Sequence, residues 1–166
     1  IPNGVDTSVF KPMDKEEARR KMCLPLDKKI VGFVGNLIEV KGADRLPAIA
    51  RELIDLRSDV FFLIVGDGPL MKALRERMPS ENTRFAGRIH HDLMPLALNT
   101  MDVMVVASRN EGFPATILEA RGCGIWVIGT EAGGISEAID SDGIGGIVGE
   151  NVEKSLSEAI DSSLDR

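Results

Sequence analysis

Aromatic residues are scarce in this sequence: six Phe, one Trp and no Tyr amount to 4% of its 166 positions. Its 43% hydrophobic content therefore comes mainly from Ile, Leu, Val and Ala, the residues that fill buried parallel strands and the helices covering them. Cysteine is nearly absent too. Cys23 and Cys123 stand a hundred positions apart with no second Cys or His at metal-ligand spacing, which argues against a zinc site and a disulfide framework. They read as reduced, semi-buried thiols of a cytosolic protein. No apolar run reaches the ~18 residues needed to span a membrane, and the start lacks a basic-then-apolar signal pattern. Positive charge is in deficit, with 20 basic against 26 acidic residues and a net charge of −6, so the surface repels polyanions and nucleic acid is not an expected partner. A local phosphate site is still allowed, because backbone N–H groups at a helix start hold an anion whatever the net charge.

What is present points to an α/β fold. At this length one good core can be buried, so residues 1–166 are expected to form a single domain. The chain opens without Met on "IPNGVDTSVFKP", an extended end and turn that should join something upstream, so the sequence reads as a piece of a longer protein. Short apolar runs then alternate with amphipathic ones, the pattern of repeated β-α units and a mostly parallel sheet. Strands are expected at 30–35, 60–66, 83–87, 102–108 and 126–130, with a weak edge strand at 145–149. Helices are expected after Gly42, around Leu70 to Met78, over 92–100, from Pro114, from Gly133-Gly134, and over 151–166 with Val152, Leu156, Ile160 and Leu164 on one stripe. Right-handed crossovers would gather the loops after residues 35, 66, 87 and 108–112 at one edge of the sheet, where a ligand site is the default expectation.

The stretch "RNEGFPATILEA" (109–120) supplies the chemistry for such a site. Gly112 permits a sharp turn, and Pro114 fits the first position of a helix, where its missing N–H is no loss. Glu111 then lies in the loop and Glu119 in the helix, separated along the axis by roughly 7–8 Å at 1.5 Å per residue. The free amides of Phe113, Ala115 and Thr116 suit phosphate oxygens. Carboxylates beside phosphate are useful only where they meet hydrogen-bond donors, and sugar hydroxyls are such donors. The outline is a nucleotide-sugar, although an acid before a helix is also a common dipole partner and Glu119 taken alone also reads as a solvated helix residue.

The segments "IPNGVDTSVFKP", "GNLIEVKG", "VGDGPL", "RFAGRI", "DVMVVASRNEGFPATILEA", "GCGIWVIGT", "GGISEAI" and "DGIGGIVG" together resemble the C-terminal domain of retaining glycosyltransferases of the GT-B fold, family four, also called glycosyl transferases group 1. They run in order through nearly the whole chain, and the Glu, seven residues, Glu arrangement is the most specific of them. The resemblance implies a Rossmann-like three-layer sandwich with a six-stranded, mostly parallel sheet, the C-terminal half of a two-domain chain whose N-terminal domain holds the acceptor. It implies that Glu111 contacts the donor sugar and assists the reaction, and that Gly112, Phe113 and Pro114 shape the cradle. Ala115 and Thr116 would offer amides to the diphosphate, Leu118 would lie along the nucleotide, and Glu119 would accept from the ribose hydroxyls. Arg88 and Ile89 match the loop that reads the base, Gly35 and Asn36 the first glycine loop, and Lys41 the basic residue that neutralises the diphosphate, catalytic in the sense of stabilising the leaving group.

The implied activity is transfer of a hexose, with retention, from a UDP- or GDP-sugar to a carbohydrate or lipid-linked acceptor, in polysaccharide or glycoconjugate biosynthesis. No metal or other cofactor is expected, and the setting would be cytoplasmic, or peripheral at a membrane through the other domain. Asn36 departs from the family's Arg and removes one guanidinium from the diphosphate, which Arg88 or Arg109 would have to replace. Trp126 departs from a common Pro, a packing difference. Two alternatives stand beside this reading: a sugar-nucleotide epimerase of related architecture, and a degenerate, non-catalytic nucleotide-sugar binding module. His90-His91 reads better as the start of a surface helix than as a catalytic pair, and Gly66-Asp67-Gly68-Pro69 as a tight turn than as a dinucleotide fingerprint. Gly133-Gly134 reads equally well as a phosphate-approaching backbone or as a close packing point.

Overall fold

Strand β1 (Lys29–Val34) is the pivot of a six-stranded sheet whose order is β3-β2-β1-β4-β5-β6. The computed structural model describes residues 4–112, 114–140, 145–148 and 152–165. The other strands are β2 (Val60–Val65), β3 (Thr83–Gly87), β4 (Val103–Val106), β5 (Trp126–Thr130) and β6 (Gly145–Val148). Every neighbouring pair is parallel. Such strands are covered on both faces, and β2, VFFLIV, is buried at all six positions.

Side-chain alternation along β2 divides the core in two. Phe62 and Ile64 join the layer formed by helices α2 (Leu46–Leu56), α3 (Met71–Arg77) and α7 (Val152–Leu164), while Phe61, Leu63 and Val65 join the layer of α4 (Met94–Asn99), α5 (Ala115–Gly122) and α6 (Ile135–Asp140). The result is the expected three-layer, Rossmann-like α/β sandwich. Leu156, Ile160 and Leu164 of α7 are buried as the stripe requires, and Arg57 fastens that helix through Asp161 and Asp165.

One helix has no counterpart in the sequence reading. Helix α1 (Lys15–Lys21) is short and mostly charged, which hides it from a search for apolar periodicity. Its signal lies in its ends: Asp14 caps it by accepting from the Glu17 amide, Glu16 and Glu17 fill the first turn, and basic residues fill the last. Asn99 anchors the segment before it by accepting from the Met13 amide and donating to the Lys11 carbonyl. The cysteines also differ from expectation. Cys23 is exposed and Cys123 buried, both free, and burial pushes the Cys123 thiol up to about 11, leaving it inert.

Asp102, just before β4, holds α1 to the sheet. It accepts from Lys15 Nζ and Arg19 at 2.7 Å each and from the Ile30 amide at 2.8 Å. Burial alone would push this carboxyl up, but the Lys15 and Ile30 hydrogen bonds and the charges of Lys15 and Arg19 outweigh it and hold the group below the ordinary carboxylate range. The stabilisation is therefore complete above the unfolded-state value and is lost as pH falls through the depressed one. Asp102→Ala leaves Arg19, whose side chain is 6% exposed, without its carboxylate, and should cost about 3 kcal/mol in denaturant unfolding, with less of the wild type's acid sensitivity remaining.

Candidate functional site

Strand order reverses at the β1–β4 seam: the connection leaving β1 runs towards β2 and the one leaving β4 towards β5, so the loops at the carboxyl ends of these two strands diverge there. A cavity of about 150 Å³ opens there, at the carboxyl ends of the strands. Its floor is Phe33, Val34, Val105 and Val106; its polar rim is Lys41, Ser108 and Glu111; and Pro114, Ala115 and Thr116 close one side. A second cavity of about 270 Å³ shares Val34, Gly35 and Lys41 with it and extends past Asn36, Asp67, Arg88 and Ile89 to Met94. The strand-end loops after β1, β2, β3 and β4 all contribute, so the two form one groove along the sheet edge.

Helix α5 presents its amino end to the smaller cavity. Pro114 is its N-cap, at φ −80° and ψ 99°, rather than its first helical residue. The reason is the Pro114 carbonyl, which already accepts from the Ile117 amide as a cap carbonyl does. A proline cap has no side-chain oxygen to satisfy the first amides, and none does so here. The N–H groups of Ala115 and Thr116 therefore have no acceptor within the helix, and both residues line the cavity. Phe113 lies outside the described residues.

Lys41 and Glu111, 70 residues apart, meet across this opening. Lys41 Nζ donates to both Glu111 oxygens at 2.9 and 2.8 Å, and Ser108 Oγ donates to Oε2 at 3.1 Å. Ser108 is in turn fixed by Thr130, whose hydroxyl donates to the Ser108 carbonyl at 2.7 Å. Neither acid-base partner is sealed away, with side-chain exposures of 31% for Lys41 and 14% for Glu111. Ser108 escaped the sequence reading because it closes an apolar strand and carries no motif of its own.

The loops can approach this closely because two positions lack a side chain. Gly42, at φ +75°, lets the Lys41 turn lie against the Ala107 carbonyl, where a Cβ would sit 1.9 Å from oxygen. Gly133, at φ +55°, lies against the Glu111 carbonyl, where a Cβ would sit 1.7 Å away, and the Gly134 amide donates to the Glu111 and Gly112 carbonyls. Gly133-Gly134 thus supports the Glu111 loop, the packing role of the two that the sequence allowed.

Other candidate residues fall into two groups. Gly35, Asn36, Arg88 and Ile89 line the groove. Leu118 and Glu119 are half-buried on α5 but line neither cavity, and Gly112 is exposed in the loop. Burial lifts the Glu119 carboxyl above the ordinary glutamate range, with the His91 charge pulling it down, and no described side chain donates a hydrogen bond to it. Arg109 does not face the groove: it is held bidentately by Asp44 at 2.6 and 2.8 Å, which leaves Arg88 as the guanidinium able to stand in for the one absent at Asn36. His90 caps a short turn before α4 by accepting from the Asp92 amide, the structural role expected of it.

Residues 14–166 match the profile of the family described as glycosyl transferases group 1. This chain belongs to that family. It is 36% identical over 146 residues to a GDP-mannose-dependent alpha-mannosyltransferase of Corynebacterium glutamicum, an alignment covering 87% of this chain and 33% of that protein. The C-terminal domain of a glycosyl transferase group 1 family protein, LpcC, from Francisella tularensis superimposes with a TM-score of 0.84 at 25% identity, covering 98% of this chain and 89% of that one. HepE from Anabaena, crystallised with UDP-glucose, has the same fold at a TM-score of 0.82 and 22% identity over 98% of this chain and 46% of that one. The chain spans about a third of the length of the curated relatives it matches. Among the described residues of this group 1 domain no cluster of His, Cys, Asp and Glu could hold a metal ion, and no helix is long and apolar enough to cross a membrane.

The Gly133 contact generates a direct test. Gly133→Ala must push the Glu111 loop away from Gly133 or strain a left-handed backbone, so nucleotide affinity measured by calorimetry should fall roughly tenfold or more while the far-UV circular dichroism is retained. Unchanged affinity would show that the loop's position does not matter for binding.

Proposed function

We propose that this chain is the donor-binding half of a two-domain retaining hexosyltransferase that takes a UDP- or GDP-linked hexose and passes it to a carbohydrate or lipid-linked acceptor held by the other domain. The observation that carries the reading is the uncapped amino end of α5, opening on the same cavity as the Lys41 ammonium and the Glu111 carboxylate. Amides and ammonium offer positive potential where a diphosphate would lie, and a carboxylate beside them offers acceptors where the first sugar would lie. As the glycosidic bond to the leaving diphosphate breaks, negative charge grows on the phosphate oxygens, and groups already aimed there stabilise that charge more than they stabilise the bound donor. The larger cavity beyond Gly35 has apolar walls in Val34, Val65, Ile89 and Met94 and polar groups in Asn36, Asp67 and Arg88, a mixture suited to a base. No metal is assigned to the reaction, since Lys41, Arg88 and the helix amides supply the charge.

Glu119, half-buried on α5 beside the groove rather than in the lining of either cavity, serves in this scheme as acceptor for ribose hydroxyls that reach past the amino end of the helix. Two measurements separate its role from that of Glu111. Glu119→Ala should weaken nucleotide binding by about tenfold, the worth of a charged hydrogen bond, and wild-type affinity should decline as pH falls through a value above the ordinary glutamate range, since only the ionised carboxylate accepts from both hydroxyls. In the full-length enzyme Glu111→Ala should lower kcat by about a hundredfold while changing nucleotide affinity far less. Negligible effects of both substitutions would contradict the assignment.

A further inference from the structure

In the structure Lys41 is already spoken for. Its ammonium meets both oxygens of Glu111, so a diphosphate arriving at the amino end of α5 must compete with that carboxylate for the one ammonium that, among the described residues, lines the smaller cavity. The two possible visitors leave Glu111 in different conditions. An intact nucleotide-sugar brings hydroxyls that donate to Glu111 as Lys41 turns to the phosphates, so the carboxylate exchanges one set of donors for another. A nucleoside diphosphate without its sugar takes Lys41 and returns nothing. Glu111, whose side chain is 14% exposed, is then left with Ser108 as its remaining donor and with new negative charge beside it. A partly buried carboxylate stripped of its cation is strongly disfavoured.

Resting on the donor-binding reading above, we infer that the Lys41–Glu111 pair is an exchange latch: it makes the site prefer an intact nucleotide-sugar to the sugarless diphosphate that transfer leaves behind. Ser108 is the positioning residue of the latch. Held by Thr130 and 3% exposed, it keeps the Glu111 carboxylate in place while Lys41 changes partner. The latch favours release of the spent nucleotide without any moving lid.

The test is calorimetric titration of this chain with GDP, GDP-mannose, UDP and UDP-glucose, before and after Glu111→Gln. The amide holds Lys41 less tightly and strands no charge. Affinity for the better-bound of the two diphosphates should therefore rise about three- to tenfold, while affinity for its sugar-bearing counterpart stays level or falls, so that the preference collapses. Lys41→Met should weaken both. A Glu111→Gln chain that binds the diphosphate no more tightly than wild type overturns the latch and leaves the donor-binding reading standing; a wild-type chain that binds none of the four overturns both. Should Glu111→Gln fail to fold by circular dichroism, Ser108→Ala reads the same device. With Lys41 as the one remaining partner of Glu111, diphosphate affinity should drop several-fold, and no drop would contradict the inference.

Discussion

Pairing of β1 with β4 is the interaction on which the rest of the molecule depends. The two strands touch through the register Val31 to Val103 and Gly32 to Met104, although β2 and β3 and the helices following β1, β2 and β3 intervene in the chain. This single seam sets the turn that follows β1 beside the loop that follows β4, and it does so at the one place along the sheet edge where connections diverge and leave an opening. That placement brings Lys41 and Glu111 together, and Gly42 and Gly133 allow the final approach. The apolar contacts that fix the seam, Val31, Val103 and Val105 on one face and Ile30 and Met104 on the other, lie deep in the two core layers. The site's polar groups therefore stand directly above the buried centre of the fold.

Much of this was legible from the residues. Strand VFFLIV is buried at every position and VMVV at all but its last, and a short continuous apolar run bounded by polar residues or glycine has few other structural solutions. The amphipathic stripe of α7 and the proline near the start of α4 likewise fixed those helices. The elements that escaped were those whose stability comes from their ends or from distant partners. Helix α1 is held by Asp14 at its cap and by Asp102, more than 80 positions along the chain, a pairing no local pattern can announce.

The candidate site divides along the same line. Residues singled out by their position in a motif, Glu111, Pro114, Ala115 and Thr116, could be named in advance, and the structure gathers them around one cavity. What the sequence could not disclose is which groups are already engaged with one another. Arg109, a free cation on paper, is bound by Asp44; Lys41, assigned to a ligand, rests on Glu111; and Ser108, silent in the motif, completes that pair. Prior engagement decides function as much as identity does, because a group must leave its present partner before it can serve a new one.

A crystal structure of this chain grown with GDP or UDP puts the central claim to its most direct test. The account predicts that the diphosphate lies at the amino end of α5, within hydrogen-bond distance of the Ala115 and Thr116 amides, with Lys41 turned from Glu111 to a phosphate oxygen. A nucleotide bound elsewhere, or one seated in the groove with Lys41 still on Glu111 and the α5 amides untouched, would contradict it.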